Sequence, residues 1–373
     1  METPSVANWF EVYNADCVDT PALLVYPDRV EQNIRAAIEM AGSPERLRPH
    51  IKTHKTQEVT NLLMQHGVHQ FKCATIAEAE LLGMCKAKDV LLAYQPLGPK
   101  LNRFITLLQH YTDTHYACVT DNITAATAMA NKAREQQLRL AVYIDLNVGM
   151  NRTGIAPENA LELIEYCLQE PSLKLMGLHA YDGHLRNPDQ AIRKQECDEG
   201  FMRVIHLQNE VLQKHQVKLP VIAGGSPSFL IHAKRVDVVC SPGTFVYWDY
   251  GYGNSFPEQP FIHAAIVITR IVSLPAPGII CTDLGHKSIA AENSIDKRVA
   301  FLNANDLVPV SQSEEHFTLK APVDHGYKTG DILYAVPYHV CPTCALYERA
   351  LVIENQRVKN EWLTIGRDRR ISF

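Results

Sequence analysis

Residues 48–55 read RPHIKTHK. With a period of two, an extended chain here puts His50, Lys52 and His54 on one face and Ile51 and Thr53 on the other. A basic octapeptide is ordinarily a solvated loop, and its neighbours decide the matter. LRPHIKT (47–53) is the first of eight short apolar runs. The others are QFKCAT (70–75), DVLLAYQ (89–95), HYACVT (115–120), LAVYIDLN (140–147), LKLMGLHAY (173–181), VIAGGS (221–226) and VDVVCSPG (236–243). Most are rich in Val, Ile, Leu or Tyr and apolar on both faces, as buried parallel strands are. Segments with helix signals separate them. TIAEAELLGMCKA follows the second run. NITAATAMANKAREQ follows the fourth, with Asp121 or Asn122 placed to cap it, and PENALELIEYCLQ follows the fifth, with Pro157 in its first turn.

Eight strand–helix units of this length predict a (β/α)8 barrel over residues 20–258. A doubly wound open sheet is the alternative. No G-x-G-x-x-G follows the first run, which disfavours a dinucleotide fold. After residue 260 the pattern changes. FIHAAIVITRIVSL, GIICTDLG, DILYAVP and ERALVIEN are separated by Pro, Gly, Asp and Asn turns, the mark of an all-β domain. That domain is expected over 259–373, joined by residues 1–19. ALLVY (22–26), ahead of a helix with Asp28 near its start, is a candidate to join it.

The 373 residues are 46% hydrophobic and 21% charged, with a net charge of −5, the balance of a globular protein with a large core. No basic stripe suggests a nucleic-acid partner, and no apolar run approaches the ~20 residues of a membrane span. METPSVANWFEVYNAD lacks the basic and apolar regions of a signal peptide. With no export signal, the ten cysteines are expected to be thiols or metal ligands in a cytoplasmic protein.

In a barrel, chemistry sits at the C-terminal ends of the strands. That rule selects Lys52, Asn147 just after Asp145, His179 and Tyr181, Gly224-Gly225-Ser226, and Gly243-Thr244. Burial lowers the pKa of a lysine and makes it a nucleophile for carbonyls. The plainer account of Lys52 is a side chain snorkelling from a strand end. AGGSPS (223–228) and SPGT (241–244) offer close backbone approach and the Ser226 and Thr244 hydroxyls to an anion. A short helix at 227–232 would add its N-terminus. Two ordinary turns are the plainer account, but barrels commonly bind phosphate after strands seven and eight. A lysine facing a phosphate cup is what pyridoxal phosphate requires. In VPYHVCPTC (336–344), His339 and Cys341 can reach one metal, and a thiolate with an imidazole favours Zn²⁺. Cys341-Pro-Thr-Cys344 as a redox pair lacks a βαβ context.

These features together resemble the D-threonine aldolase and D-serine dehydratase family of pyridoxal-phosphate enzymes. Its fold is of the alanine-racemase type, a barrel followed by a β domain. The resemblance runs from DTPALLVY (19–26) through RPHIKTHK, YIDLNVGMNRTGI, GLHAYDGH, GGSPS and SPGTF to EEH (314–316) and PYHVCPTC. It implies that Lys52 is the Schiff-base lysine, with His50, His179 and Tyr181 beside the cofactor and Arg152 near its phenolic oxygen. Gly224, Gly225, Ser226, Gly243 and Thr244 match the phosphate cup. His339 and Cys341 match the metal pair, for zinc or another divalent ion. Ser241, His179 and Phe245 depart from the arginine, glutamine and tyrosine common in the family.

The resemblance implies a homodimeric lyase acting on β-hydroxy D-amino acids, with dehydration of D-serine or D-threonine ahead of aldol cleavage. Lys52 and Tyr181 are the expected catalytic residues, and His184 or His54 is the expected base in the aldol route. D-threonine or D-3-hydroxyaspartate aldolase is the first alternative. An amino-acid racemase and a non-catalytic pyridoxal-phosphate-binding protein are the others.

Overall fold

The computed structural model describes residues 8–373. Residues 1–7, which belong to the stretch inspected for a leader and to the arm assigned to the β domain, lie outside it. Contacts divide the chain into two compact units. One comprises residues 34–52, 57–245 and 368–373; the other comprises those up to 33, 53–56 and 246–367. Residues 20–33 and 246–258, expected with the barrel, therefore pack with the strand-rich unit. One reason is local: Asn33 Nδ2 donates to the carbonyls of Val246 (3.3 Å) and Ile262 (2.7 Å).

After β1 (Ala22–Val25) and α1 (Pro27–Ala41), the first unit alternates strands and helices. Its strands are β2 (Gln70–Cys73), β3 (Asp89–Leu92), β4 (His115–Thr120), β5 (Leu140–Leu146), β6 (Leu173–Ala180), β7 (Val221–Ala223) and β8 (Val238–Cys240). They form one parallel sheet in sequence order, curled into a barrel. Its helices are α2 (Gln57–Gln65), α3 (Ile76–Met84), α4 (Pro99–His110), α5 (Ile123–Glu135), α6 (Leu161–Gln169), α7 (Gln190–His215) and α8 (Phe229–His232). Asn122 caps α5 as anticipated, its side chain accepting from the N–H of Ala125 at 2.8 Å. Leu91, Ala117, Val119, Tyr143 and Ile222 pack inside the barrel.

The first run is not the strand that its period of two predicts. Residues 47–50 touch both neighbours through isolated bridges, Leu47 to Cys240 and His50 to Lys72, and residues 51–54 form a turn. Pro49 has no N–H to extend a ladder. The segment is held instead by alternating bonds to both sides. Arg48 and His50 donate to the carbonyls of Cys240 (2.8 Å) and Pro242 (2.9 Å), and Ile51 to that of Lys72 (3.0 Å). Lys72 in turn donates to Pro49 (2.9 Å). The barrel thus has seven regular strands and an irregular eighth stave, and Lys52 stands on a turn.

In the second unit β1 joins β9 (Ala265–Ala276), β10 (Ile279–Thr282), β11 (Val299–Phe301), β12 (Val308–Gln312), β13 (Phe317–Lys320), β14 (Ile332–Pro337), β15 (Arg349–Glu354) and β16 (Arg357–Leu363). The path is β12-β13-β10-β9-β1-β15-β16, with β14 also on β9 and β11 on β14. ALLVY thus supplies a central strand of this sheet, parallel to β15 and antiparallel to β9. Its core includes Phe10, Leu24, Tyr26, Ile266, Ile268 and Val336. Two short helices complete it, α9 (Tyr250–Ser255) and α10 (Val340–Cys344). Among the described residues no helix is long and apolar enough to cross a membrane.

Candidate active site

The barrel encloses a cavity of about 560 Å³ lined by His50, Lys52, Lys72, Asp145, Arg152, His179 and Tyr181, with Gln95, Asp121 and Thr153 among the other polar groups. Tyr181, one residue beyond β6, is its centre. The Lys52 and Lys72 ammonium groups lie 5.7 and 5.2 Å from its ring centroid and the Arg152 guanidinium carbon 5.1 Å. His50 turns inward from the irregular stave, its Nδ1 accepting from the Lys52 N–H at 3.2 Å.

Register explains the next pair. Asp145 on β5 stands opposite His179 on β6, and His179 Nδ1 meets Asp145 Oδ1 at 2.7 Å. Burial pulls the imidazole below its usual pKa and overrides the neighbouring carboxylate. The ring is therefore neutral, with the proton on Nδ1 toward Asp145. That leaves Nε2 as an acceptor, buried and with no hydrogen-bond partner among the described residues. An orphaned buried acceptor on a cavity wall is a mark of a ligand site.

Lys72, on β2, was not anticipated. It is 2% exposed, and burial, aided by the charge of Lys52, pulls its ammonium down to about 7. Alternation along QFKC was the available signal: Phe71 and Cys73 are buried and flank a charged residue that turns to the cavity.

The two glycine loops meet behind Tyr181. The Thr244 N–H donates to Ser226 Oγ at 3.2 Å, linking the loop after β7 to the one after β8. A Cβ on Gly225 would approach Tyr181 Cε2 to 3.0 Å, so the residue must be small for the loop to lie against the ring. None of Gly224, Gly225, Ser226, Gly243 and Thr244 lines the cavity itself. Two of the anticipated backbone donors are already committed, Gly224 to the Ala180 carbonyl (3.1 Å) and Gly225 to Ser228 Oγ (3.2 Å). Ser241 does not face the cavity; its hydroxyl donates to the Arg48 carbonyl at 2.7 Å. The helix expected at 227–232 is the single turn α8.

A buried network braces these loops. Ser228 Oγ donates to Asp182 Oδ1 (2.6 Å), and His232 Nε2 meets Asp182 Oδ2 (2.7 Å). Asp182, Cys197 and His232 bring ligand-type atoms within 4.8 Å of one another, a possible metal site. Its chemistry favours a hydrogen-bonded buttress. Arg235 already places a cation there, donating to His232 Nδ1 at 2.6 Å, and burial pushes the Cys197 thiol up to about 12. Burial alone would raise Asp182, but its contacts with His232 and the Ser228 hydroxyl outweigh it and hold the carboxyl below its usual value. Its stabilising contribution is thus complete above about pH 4 and lost as pH falls through the lower, folded value. Thermal melting from pH 6 to pH 3 is expected to show that loss. Asp182→Asn should be less stable at pH 6, by about 2 kcal/mol, and should flatten the acid limb.

The expected bases lie elsewhere. His184 is exposed and lines a separate cleft with Glu196 and Arg203, so the structure does not bring it to the cavity. His54 is 1% exposed, packs edge-on to Tyr247, and accepts from the Thr56 N–H at 3.2 Å. Burial pulls its pKa to about 3, so it is neutral.

In the second unit, His339 and Cys341 flank the start of α10. Asp249 sets that turn, accepting from the N–H groups of Tyr252 (2.9 Å) and Val340 (3.2 Å). His339 Nδ1 meets Glu292 Oε1 at 2.5 Å, and Cys341 Sγ meets Thr53 Oγ1 at 3.1 Å. Burial would lower the imidazole, but Cys341, Asp249 and Glu292 together lift it to about 9. Acidic and soft donors thus converge on His339, which suits a cation. Cys344 is buried as a thiol, its pKa raised by burial, which does not suit a redox pair with Cys341.

Two family models match the chain: "Alanine racemase, N-terminal domain" over residues 25–251 and "Putative serine dehydratase domain" over residues 264–353. The chain belongs to the alanine racemase N-terminal domain family. It has the barrel and strand-rich domain of the fold type III pyridoxal-phosphate enzymes. This family member is similar to a 3-hydroxy-D-aspartate aldolase of Paracoccus denitrificans (strain Pd 1222), 24% identical over 92% of this chain and 91% of that protein. It is also similar to a D-serine dehydratase of Dictyostelium discoideum, 24% identical over 91% of this chain and 94% of that protein. The solved D-threonine aldolase from Filomicrobium marinum superposes with a TM-score of 0.87 at 25% identity, over 96% of this chain and 98% of that one.

Proposed function

We propose that the chain is a pyridoxal-phosphate-dependent lyase acting on β-hydroxy D-amino acids, with dehydration of D-serine or D-threonine ahead of aldol cleavage. The observation that carries the reading is the cavity, where Lys52 shares one wall with the buried, unpartnered Nε2 of His179 and a tyrosine ringed by three cations. The cofactor fits there: the wall offers an amine for its aldehyde and cations for its anionic oxygens. Bound, it supplies an electron sink for charge developing at Cα.

Lys52 would hold the cofactor through its amine and would carry the proton at the substrate's Cα. Arg152 steadies an anionic oxygen beside Tyr181. Asp145 fixes the His179 tautomer, so that Nε2 presents a lone pair to the cavity. His339 and Cys341 would hold a divalent metal, zinc by donor chemistry, and it would supply Lewis-acid chemistry for a hydroxyl group. Glu292 orients His339 in the manner of the carboxylates behind metal-bound histidines.

Elimination and cleavage share all of these groups, and relatives of both kinds match the chain. The His-x-Cys pair favours elimination by its resemblance to the dehydratases, and products decide. D-threonine is expected to give mainly 2-oxobutanoate and ammonia. Glycine and acetaldehyde as the main products would reverse the order, and racemised substrate with neither would replace the lyase by a racemase.

A further inference from the structure

We propose that Lys72 is an oxyanion-binding residue of the cavity, the receptor for a carboxylate or phosphate oxygen of whatever ligand occupies it. The inference rests on the proposed site but not on its reaction. Lys72 is 2% exposed and lines the cavity. No hydrogen bond or ion pair reaches its ammonium group among the described residues. The acids on the same wall are already committed. Asp145 binds His179 at 2.7 Å, and Asp121 accepts from Asn122 Nδ2 (2.8 Å) and from the Gly154 N–H (3.0 Å).

Lys72 feels repulsion from Lys52 and Arg48 and attraction from Asp145, which is bonded to His179, and from Asp182, whose oxygens are taken by Ser228 and His232. Arg152 adds a third cation on the Tyr181 ring, and His179 is neutral. The cavity therefore holds more positive than available negative charge. A buried ammonium without an anionic partner either sheds its proton or takes an anion. In the free chain burial brings Lys72 to about 7, so it does part of the first. An arriving oxyanion restores the charge, and binding must take up a proton. The affinity for the anion is highest below about pH 7 and falls as pH rises above it.

The test is calorimetric titration with acetate and with inorganic phosphate at pH 7, in two buffers of different ionisation enthalpy. The cofactor-free chain and the chain with pyridoxal phosphate reduced onto it are compared. The wild type is expected to take up about half a proton per anion. Lys72→Met should weaken binding at least about tenfold and abolish the uptake. Lys72→Arg should bind without uptake, because a guanidinium is always charged. If reduction of the cofactor onto the chain eliminates both anions, the natural partner is a cofactor oxygen. If acetate still binds, it is a substrate carboxylate. Unchanged affinity and uptake in Lys72→Met overturn the assignment, as does full uptake in Lys72→Arg should the methionine variant not fold. Neither probe is turned over, so failure of the lyase reading leaves this result standing.

Discussion

Lys52→Ala removes turnover by a factor on the order of 10³ to 10⁶, the range seen when a covalent group of an active site is deleted. Borohydride reduction of the wild type followed by peptide mapping places the pyridoxyl group on Lys52. Two amines line the cavity, and Lys72 is the stronger rival, because burial leaves it partly unprotonated near neutrality. Position favours Lys52. Lys72 sits within a regular strand, whereas Lys52 stands on a turn at the barrel's edge and is only half-buried, where a substrate amine can displace it. A label on Lys72, or turnover within tenfold of wild type in Lys52→Ala, would sink the assignment.

Chelation is expected to abolish turnover while the cofactor stays bound, and Cys341→Ala to reproduce the loss. Zinc content, measured directly, is expected to fall from one per chain to none in the variant. Glu292→Gln is the sharper probe. Its carboxylate touches His339 Nδ1 and so fixes which ring nitrogen is left for the metal. The amide can still hydrogen-bond but carries no charge. Metal affinity is expected to drop by about 10–100-fold with the fold intact. Full activity after verified removal of the metal would end the case for a metal-assisted step.

The regular strands were legible in the sequence because each is a continuous apolar run with a helix behind it. The first run misled for a definite reason. Its alternation of Ile51 and Thr53 with His50 and Lys52 imitates a strand, while Pro49 and the turn at 51–54 deny it a ladder. The strand-end rule found Lys52, His179 and Tyr181, which do share one cavity. It missed Lys72, one layer inside the mouth, because the rule looks at strand ends. His184 satisfied the motif but is exposed and lines a separate cleft. The Asp182–Ser228–His232 network and Glu292 join residues far apart in the chain, and nothing in the local sequence marks such a meeting.

The irregular stave has a consequence for how the molecule comes apart. Lys52 stands two residues beyond the His50 bridge that closes the barrel. The bonds of Arg48, His50 and Ile51 to strands on both sides act as a zip between the last strand and the first. Such a seam, with fewer bonds than a regular ladder, is where a closed sheet opens first. Opening it would release Lys52 and His50 from the wall while the seven regular strands remain paired. Competence and closure are therefore one event: the chain can keep most of its architecture without its site, but not its site without the zip.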